Sequence, residues 1–115
     1  MEQLQVSARF PRVDPTRLAE FKAVASELVA QSRNEPGTLS FTLFMSADET
    51  VGVFREVYTD SNAILTHLAA GGATVGKLAE LGGGIEIECF GAPSAELMTA
   101  AAAMAPVVFR HVVGK

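Results

Sequence analysis

The sequence contains no tryptophan, one cysteine, one tyrosine and two histidines among 115 residues. Each scarcity removes a class of protein. The lone thiol, Cys89, excludes an internal disulfide framework and suits a reducing compartment. Two histidines without metal-ligand spacing argue against a metal site, and no nucleophile stands beside a base as covalent catalysis requires. Flavin and haem motifs are missing too, so no cofactor is expected. Nine Lys and Arg residues are scattered through a chain of formal net charge −4, which denies it the basic stripe of a nucleic-acid binder. No apolar run approaches the roughly 20 residues that cross a bilayer. The opening Met1-Glu2-Gln3-Leu4-Gln5 lacks a basic stretch followed by an apolar one, so a signal peptide is not expected. The expected setting is cytoplasmic, with neither membrane nor nucleic acid as partner.

What the chain does have is apolar mass. Hydrophobic residues make up 49% of it, enough to bury a core without disulfide or metal, and its length predicts one domain over residues 1–115. Leu4, Val6, Ala8 and Phe10 alternate with Gln5, Ser7 and Arg9, the pattern of a half-buried strand. Pro11 ends it, and Asp14-Pro15 predicts an N-cap with proline at the first helical position. Leu18, Phe21, Val24, Ala25, Leu28 and Val29 recur at helical spacing to about Ser32, where Asn34-Glu35-Pro36-Gly37 stops the helix. Leu39 to Met45 and Val51 to Tyr58, joined by the polar Ala47-Asp48-Glu49-Thr50, predict an antiparallel hairpin. On its first strand Leu39, Phe41, Leu43 and Met45 share a face. A short helix from Asn62 to about Ala70 is predicted to break at Gly71-Gly72. A second helical piece then carries Val75, Leu78 and Leu81 to Gly82-Gly83-Gly84. Ile85, Ile87 and Cys89 share one face of a fourth strand. An alanine-rich helix starts at Pro93-Ser94, and β-branched Val107 to Val113 predicts a last strand.

The resulting order, β-α-β-β-α-β and then α-β, is α+β. Its first six elements make the ferredoxin-like arrangement, an antiparallel sheet with helices on one face. The other sheet face is left bare, with Phe44 or Phe54 exposed on it. A second copy is the simplest cover, so a homodimer is expected.

The run Glu35-Pro36-Gly37-Thr38-Leu39-Ser40-Phe41, then Glu56-Val57-Tyr58-Thr59-Asp60-Ser61-Asn62-Ala63, then His67 resembles the antibiotic biosynthesis monooxygenase family. That family shows Pro-Gly, an aromatic a few residues on, Glu-x-aromatic ending a strand, and Ala-x-x-x-His on the next helix. These fall on Pro36-Gly37, Phe41, Glu56 with Tyr58, and Ala63 with His67, and the resemblance covers about residues 4 to 92. It implies a dimeric α/β barrel with a pocket between helices and sheet in each subunit. It also implies a choice of activities: cofactor-free oxygenation of phenols and quinols, haem degradation, or chemistry on a signalling furanone. The sequence departs from the family pattern in places. Gly72 stands where many relatives carry a second histidine, and Phe41 replaces a frequent tyrosine. The tryptophan that polyketide-oxidising relatives place near their substrate is missing. No asparagine lies between Gln5 and Phe10, which disfavours the haem-degrading branch.

Among single residues, His67 is the catalytic candidate. Cofactor-free oxygenation needs a substrate anion able to give an electron to dioxygen in a dry apolar pocket, and a histidine base suits its formation. On a wheel of about 100° per residue, Ile64, Leu65, Leu68 and Ala69 form the buried stripe, with His67 on its flank at a pocket mouth. The competing reading is a partly buried histidine tying down a backbone carbonyl. Phe41, Tyr58, Glu56 and Leu68 are the substrate-binding candidates. Glu56, flanked on its strand face by Phe54 and Tyr58, reads either as a base of raised pKa or as half of an ion pair across the dimer interface. Asn62 lies on the opposite flank of its helix from His67 and serves the first turn. Cys89 reads as inert core, Glu86 and Glu88 as a solvated face, and Arg110 as a salt-bridge partner for another chain. His111 takes no catalytic role.

Gly71-Gly72-Ala73-Thr74-Val75-Gly76-Lys77 imitates a phosphate loop, but Leu78 follows and a helix precedes it. The stretch reads instead as a flexible lid over the pocket. The expected activity is cofactor-independent monooxygenation of a small aromatic or quinol-like molecule. An isomerase on the same scaffold and a non-catalytic dimeric small-molecule binder are the alternatives.

Overall fold

A computed structural model describes residues 3–115. Strand β1 (Leu4–Phe10) leads through a single 3-10 turn, Pro15–Arg17, into helix α1 (Leu18–Ser32). The hairpin β2 (Thr38–Met45) and β3 (Gly52–Tyr58) follows, then helix α2 (Ser61–Leu81) and strand β4 (Glu86–Phe90). A short helix α3 (Ala95–Ala100) and an edge strand β5 (Val107–Phe109) complete the chain. The strands lie in the order β2-β3-β1-β4-β5. All neighbours are antiparallel except β4 and β5. This is the ferredoxin-like α+β sheet that the element order predicts, extended by one parallel edge strand.

Local chemistry explains the boundaries. Asp14 accepts hydrogen bonds from the Thr16 amide at 2.9 Å and the Thr16 hydroxyl at 2.7 Å, capping the turn that opens α1. The two helices cover one face of the sheet. Ala8, Phe10, Phe41 and Phe54 from the strands pack with Phe21, Leu28, Leu78 and Leu81 from the helices, and Leu4, Val6, Tyr58 and Cys89 pack with Ile64 and Leu97.

Four expectations need correction. Gly71-Gly72 does not break a helix, because α2 runs unbroken through it. Glycine inside a helix costs about 1 kcal/mol against alanine, and at Gly71 packing recovers it. A Cβ there would lie 2.8 Å from Leu28 Cδ1 and 3.1 Å from Gln31 Nε2, so its absence lets α1 and α2 approach. Gly72 faces open space. The proposed lid is therefore helix interior. Secondly, Phe54 is buried against Phe10 and Phe41, ring centroids 6.2 and 4.5 Å away. Its register opposite Ala8 and Leu43 turns it to the helical side, and of the two phenylalanines it is Phe44 that stands exposed on the bare one. Thirdly, a bulge between Thr38 and Ser40 takes Leu39 out of the alternation, and it is half exposed instead of sharing Phe41's buried face. Finally, the last strand stops at Phe109 rather than Val113. Its one neighbour, β4, ends at Phe90, and a strand at a sheet edge cannot outlast the ladder it pairs with.

The bare sheet face carries Phe44 at one corner and, at the other, a stacked Phe90–Phe109 pair with centroids 5.2 Å apart beside Val107. Arg9 and Glu86 pair at 3.5 Å between them. Among the described residues no helix is long and apolar enough to cross a membrane.

The contrast between the two glycines is testable. Gly72→Ala should raise stability by about 0.5–1 kcal/mol, since helix propensity improves and nothing is displaced. Gly71→Leu should lower it by about 1–3 kcal/mol through overpacking against α1. Urea unfolding midpoints of the two variants would show equal shifts if the segment were a flexible hinge.

Candidate active site

The site begins where α1 ends. The chain turns through Glu35-Pro36-Gly37-Thr38, closed by the Thr38 amide donating to the Glu35 carbonyl at 3.0 Å. A Cβ on Gly37 would sit 2.5 Å from the Cβ of Ala63 and 3.1 Å from the Thr59 hydroxyl. The Thr59 amide donates to the Gly37 carbonyl at 2.9 Å. Glycine is required here by close approach to the first turn of α2, which Asp60 caps by accepting from the Ala63 amide at 2.9 Å. The approach explains why Pro-Gly and Ala-x-x-x-His occur together: with Ala63 pressed on the turn, the residue one helical turn later meets Glu35.

That residue is His67, 4% exposed, with Nδ1 2.8 Å from Glu35 Oε1. Glu35 also accepts from Gln31 Nε2 at 3.0 Å and Thr38 Oγ1 at 2.9 Å. Burial pulls its pKa upward, but the hydrogen bonds from Gln31, His67 and Thr38 together hold it below the ordinary carboxylate value. An ionised carboxylate only accepts, so Nδ1 carries the hydrogen. Nε2 has no hydrogen-bond partner among the described residues. Phe41 and Tyr58 pack against the imidazole with centroids 4.9 and 5.8 Å away. Both expectations for His67's surroundings are corrected by this geometry. It lies in the buried stripe, and its partner is a carboxylate, not a backbone carbonyl. The stripe through Ala63, Ile64, His67 and Gly71 is set by a helix that continues to Leu81. A helix cut at Ala70 misplaces it toward Leu65 and Ala69, of which Ala69 is exposed.

On the sheet wall, Phe54, Glu56 and Tyr58 alternate inward along β3 and all are buried. The Tyr58 hydroxyl donates to Glu56 Oε1 at 2.5 Å. Burial pushes the Glu56 carboxyl up to about 8, and the Tyr58 hydrogen bond offsets part of that. Burial, aided by the neighbouring Glu56 carboxyl, drives the Tyr58 phenol far above its ordinary value, so it stays a donor. Glu56 faces the helices, so an ion pair across the bare face is excluded for it.

Between helices and sheet lies a cavity of about 70 Å³. His67, Phe41, Tyr58, Glu56 and Leu68 all line it, which brings together from β2, β3 and α2 the five residues singled out in the sequence. Cys89 also lines it, with its thiol pushed up by burial. Asn62, Glu88, Arg110 and His111 are exposed, and Glu86 is held by Arg9 on the bare face. Sequence reasoning missed two contributions. One is the layer behind His67 formed by Glu35, Gln31 and Thr38. Glu35 sits inside the Pro-Gly motif, yet a glutamate just after a helix reads as solvated. The other is the wall supplied by Leu97, Met98, Met104 and Pro106, whose Ala-rich stretch showed no periodicity that pointed to a ligand. Among the described residues no group of three or more His, Cys, Asp or Glu could hold a metal ion.

The family model described as "Antibiotic biosynthesis monooxygenase" matches residues 5–74, a span that contains Glu35, Phe41, Glu56, Tyr58 and His67. The chain belongs to the antibiotic biosynthesis monooxygenase family. A Caulobacter crescentus protein assigned to antibiotic biosynthesis monooxygenases is 31% identical, with 80% of this chain and 91% of that one covered at a TM-score of 0.65. SnoaB, a cofactor-independent oxygenase from Streptomyces nogalater, was solved as a variant and is 26% identical. The match covers 83% of this chain and 97% of SnoaB at a TM-score of 0.67. MupZ from Pseudomonas fluorescens shares the fold over 98% of this chain and 92% of its own, at 23% identity and a TM-score of 0.83. No curated protein matches by sequence. Family membership supports a general monooxygenase-like role for this antibiotic biosynthesis monooxygenase homologue.

The two carboxylates of the site predict opposite responses to pH. Glu56 has a folded value of about 8 against an ordinary 4.5, so the folded state holds the extra proton. Its stabilising contribution is complete below about pH 4.5 and is lost as pH rises toward about 8, a change of a few kcal/mol. Glu35 is depressed, so its contribution is present above its ordinary value and lost as pH falls through the lower folded one. Denaturant unfolding from pH 5 to 9 should show the parent protein losing stability up to about pH 8 and levelling off above it, with that decline absent in Glu56→Gln.

Proposed function

We propose that this protein is a cofactor-independent monooxygenase of a small aromatic or quinol-like substrate, working as a homodimer, with His67 as its base. The observation that carries the reading is the Glu35–His67 pair in the wall of an otherwise apolar cavity. Glu35 orients the ring through Nδ1, leaves Nε2 free, and stabilises the imidazolium that forms when Nε2 takes a proton. Removing the proton of a phenol, quinol or activated methylene gives an electron-rich anion. In an apolar cavity that anion is poorly solvated and reactive toward dioxygen.

One electron passes from the anion to dioxygen, and the resulting pair combines at carbon. The hydroperoxide then loses water to leave a carbonyl. Overall, a CH₂ group and O₂ become C=O and H₂O, and a phenol C–H becomes a quinone with the same balance, so the substrate supplies all the electrons. Family membership supports this chemistry, as does the likeness to SnoaB. Phe41, Tyr58 and Leu68 would hold the ring of the substrate. A second copy would cover Phe44 and the Phe90–Phe109 corner, in keeping with the dimeric α/β barrel that the family resemblance implies.

His67→Ala should lower turnover about 10²–10⁴-fold. It should also cost about 1–3 kcal/mol, because buried Glu35 loses one of its three donors and keeps only Gln31 and Thr38. Oxygen uptake on a panel of phenols and quinols, with unfolding measured on the same samples, tests both. Undiminished uptake by the variant, or no uptake by the parent on any member, removes the reading. For the dimer, Phe44→Glu should weaken association by at least about 1–3 kcal/mol. Sedimentation should then show monomer appearing on dilution, while a parent protein that is monomeric at micromolar concentration would overturn the assembly.

A further inference from the structure

We infer that Glu56, held by Tyr58 on the sheet wall of the cavity, is a second catalytic group that donates a hydrogen bond to a substrate oxygen, and that the site therefore selects enolisable carbonyl compounds. The inference rests on the proposed use of His67 as the base and adds the group that works with it.

The geometry leaves one proton of the pair unshared. Tyr58 donates to Glu56 Oε1, and Glu56 Oε2 has no hydrogen-bond partner among the described residues. A neutral carboxyl and a phenol bring two hydrogens to one mutual hydrogen bond, so the second hydrogen is directed into the cavity that both residues line. The surroundings keep the carboxyl neutral. Its neighbours across the sheet are Val6 on β1 and Phe41 on β2. The titratable groups that share the cavity are Tyr58 on its own strand, His67 on α2 with Glu35 behind it, and Cys89 on β4. None of the cavity's lining residues is Lys or Arg. Burial therefore dominates, and the carboxyl titrates at about 8. A carboxylic acid kept neutral in an apolar site is a hydrogen-bond donor preorganised for a developing oxyanion.

Base and donor stand on opposite walls, one from helix α2 and the other from strand β3. Placed between them, a ketone gives its α-proton to His67 Nε2. The C–H electron pair becomes the C=C bond of the enolate, the carbonyl π pair moves onto oxygen, and that oxygen takes the Glu56 hydrogen bond. Nothing is oxidised in this step. With dioxygen present the enolate enters the oxygenation already described. Without it, the carbon is reprotonated from solvent, so the protein acquires a second, oxygen-free activity: exchange of α-hydrogens. As pH rises through about 8 the carboxyl ionises, becomes an acceptor only, and the activity declines.

The test uses the full chain with 2-tetralone, a small enolisable aryl ketone, in D₂O under nitrogen, with exchange at the benzylic methylene followed by NMR from pH 6 to 9.5. The parent should exchange faster than buffer and lose rate above about pH 8. Glu56→Ala should lower the rate about 10²–10³-fold, the usual loss on removing one oxyanion donor. Glu56→Gln, which keeps an uncharged donor, should retain exchange within about tenfold and lose the alkaline decline. Should Glu56→Ala fail to fold, the pH profile of Glu56→Gln decides alone. An alkaline limb that persists in Glu56→Gln overturns the inference, as does a Glu56→Ala rate equal to the parent's or a parent that does not exchange. Oxygen uptake measured in air separates the two readings. Exchange without uptake leaves Glu56 in its role and removes the monooxygenase. Uptake indifferent to Glu56→Ala does the reverse.

Discussion

A carboxylate and an imidazole buried together hold this structure to its purpose. Removing two such groups from water costs several kcal/mol each unless every lone pair and hydrogen is met. Here the carboxylate is met from three sides at once: Gln31 from the last turns of α1, Thr38 from the turn, and His67 from α2 all donate to Glu35. Satisfying that carboxylate requires the elements to sit at fixed distances. Two glycines set those distances, Gly37 by letting the turn touch Ala63 and Gly71 by letting α2 pass close to Leu28 and Gln31. The motif residues are thus parts of one packing problem, and the imidazole is its product.

The site contains two glutamates with opposite treatment. Glu35 has three donors and remains ionised despite burial. Glu56 has a single donor and apolar surroundings, and burial drives it up to about 8. Environment alone separates one residue type into an orienting anion and a neutral acid. The chemistry proposed for the site uses this difference, a general base and a hydrogen-bond donor at the same pH, and neither role needs an unusual side chain. Neither a tryptophan nor a second histidine lines the cavity, and its polar groups are His67, Glu56 and Tyr58 with the Cys89 thiol.

The wall contributed by α3 and the residues up to Pro106 has a different character. It lies beyond the residues that carry the family motif, and its contacts are Leu97, Met98 and Met104. Methionine adapts its shape to an irregular ligand. The wall that carries His67, Glu56 and Tyr58 therefore comes from β2, β3 and α2, and the methionine-bearing apolar wall from the C-terminal part of the chain.

Much of this was legible in the residues themselves. Alternation along Leu4 to Phe10 and Val53 to Tyr58, the Asp14-Pro15 start of α1 and the glycine run after Leu81 are local signals, and they determined the elements, their order and the ferredoxin-like class. Motif spacing singled out Phe41, Glu56, Tyr58 and His67, and helical periodicity added Leu68, because both are intervals countable along the chain. Local signals could not say that Gly71-Gly72 would be absorbed into one helix, since the benefit lies in contacts with α1, a partner some 40 residues earlier in the chain. That error in turn rotated the expected buried stripe and put His67 on its flank. Nor could they say that Phe54 turns inward, which depends on strand register, or that Glu35 is a buried acceptor and not a solvated helix end. Burial and partner choice are long-range quantities. Only the tertiary structure decided which of two glutamates would keep its charge, because the donors around Glu35 and the apolar burial of Glu56 come from parts of the chain far apart in sequence.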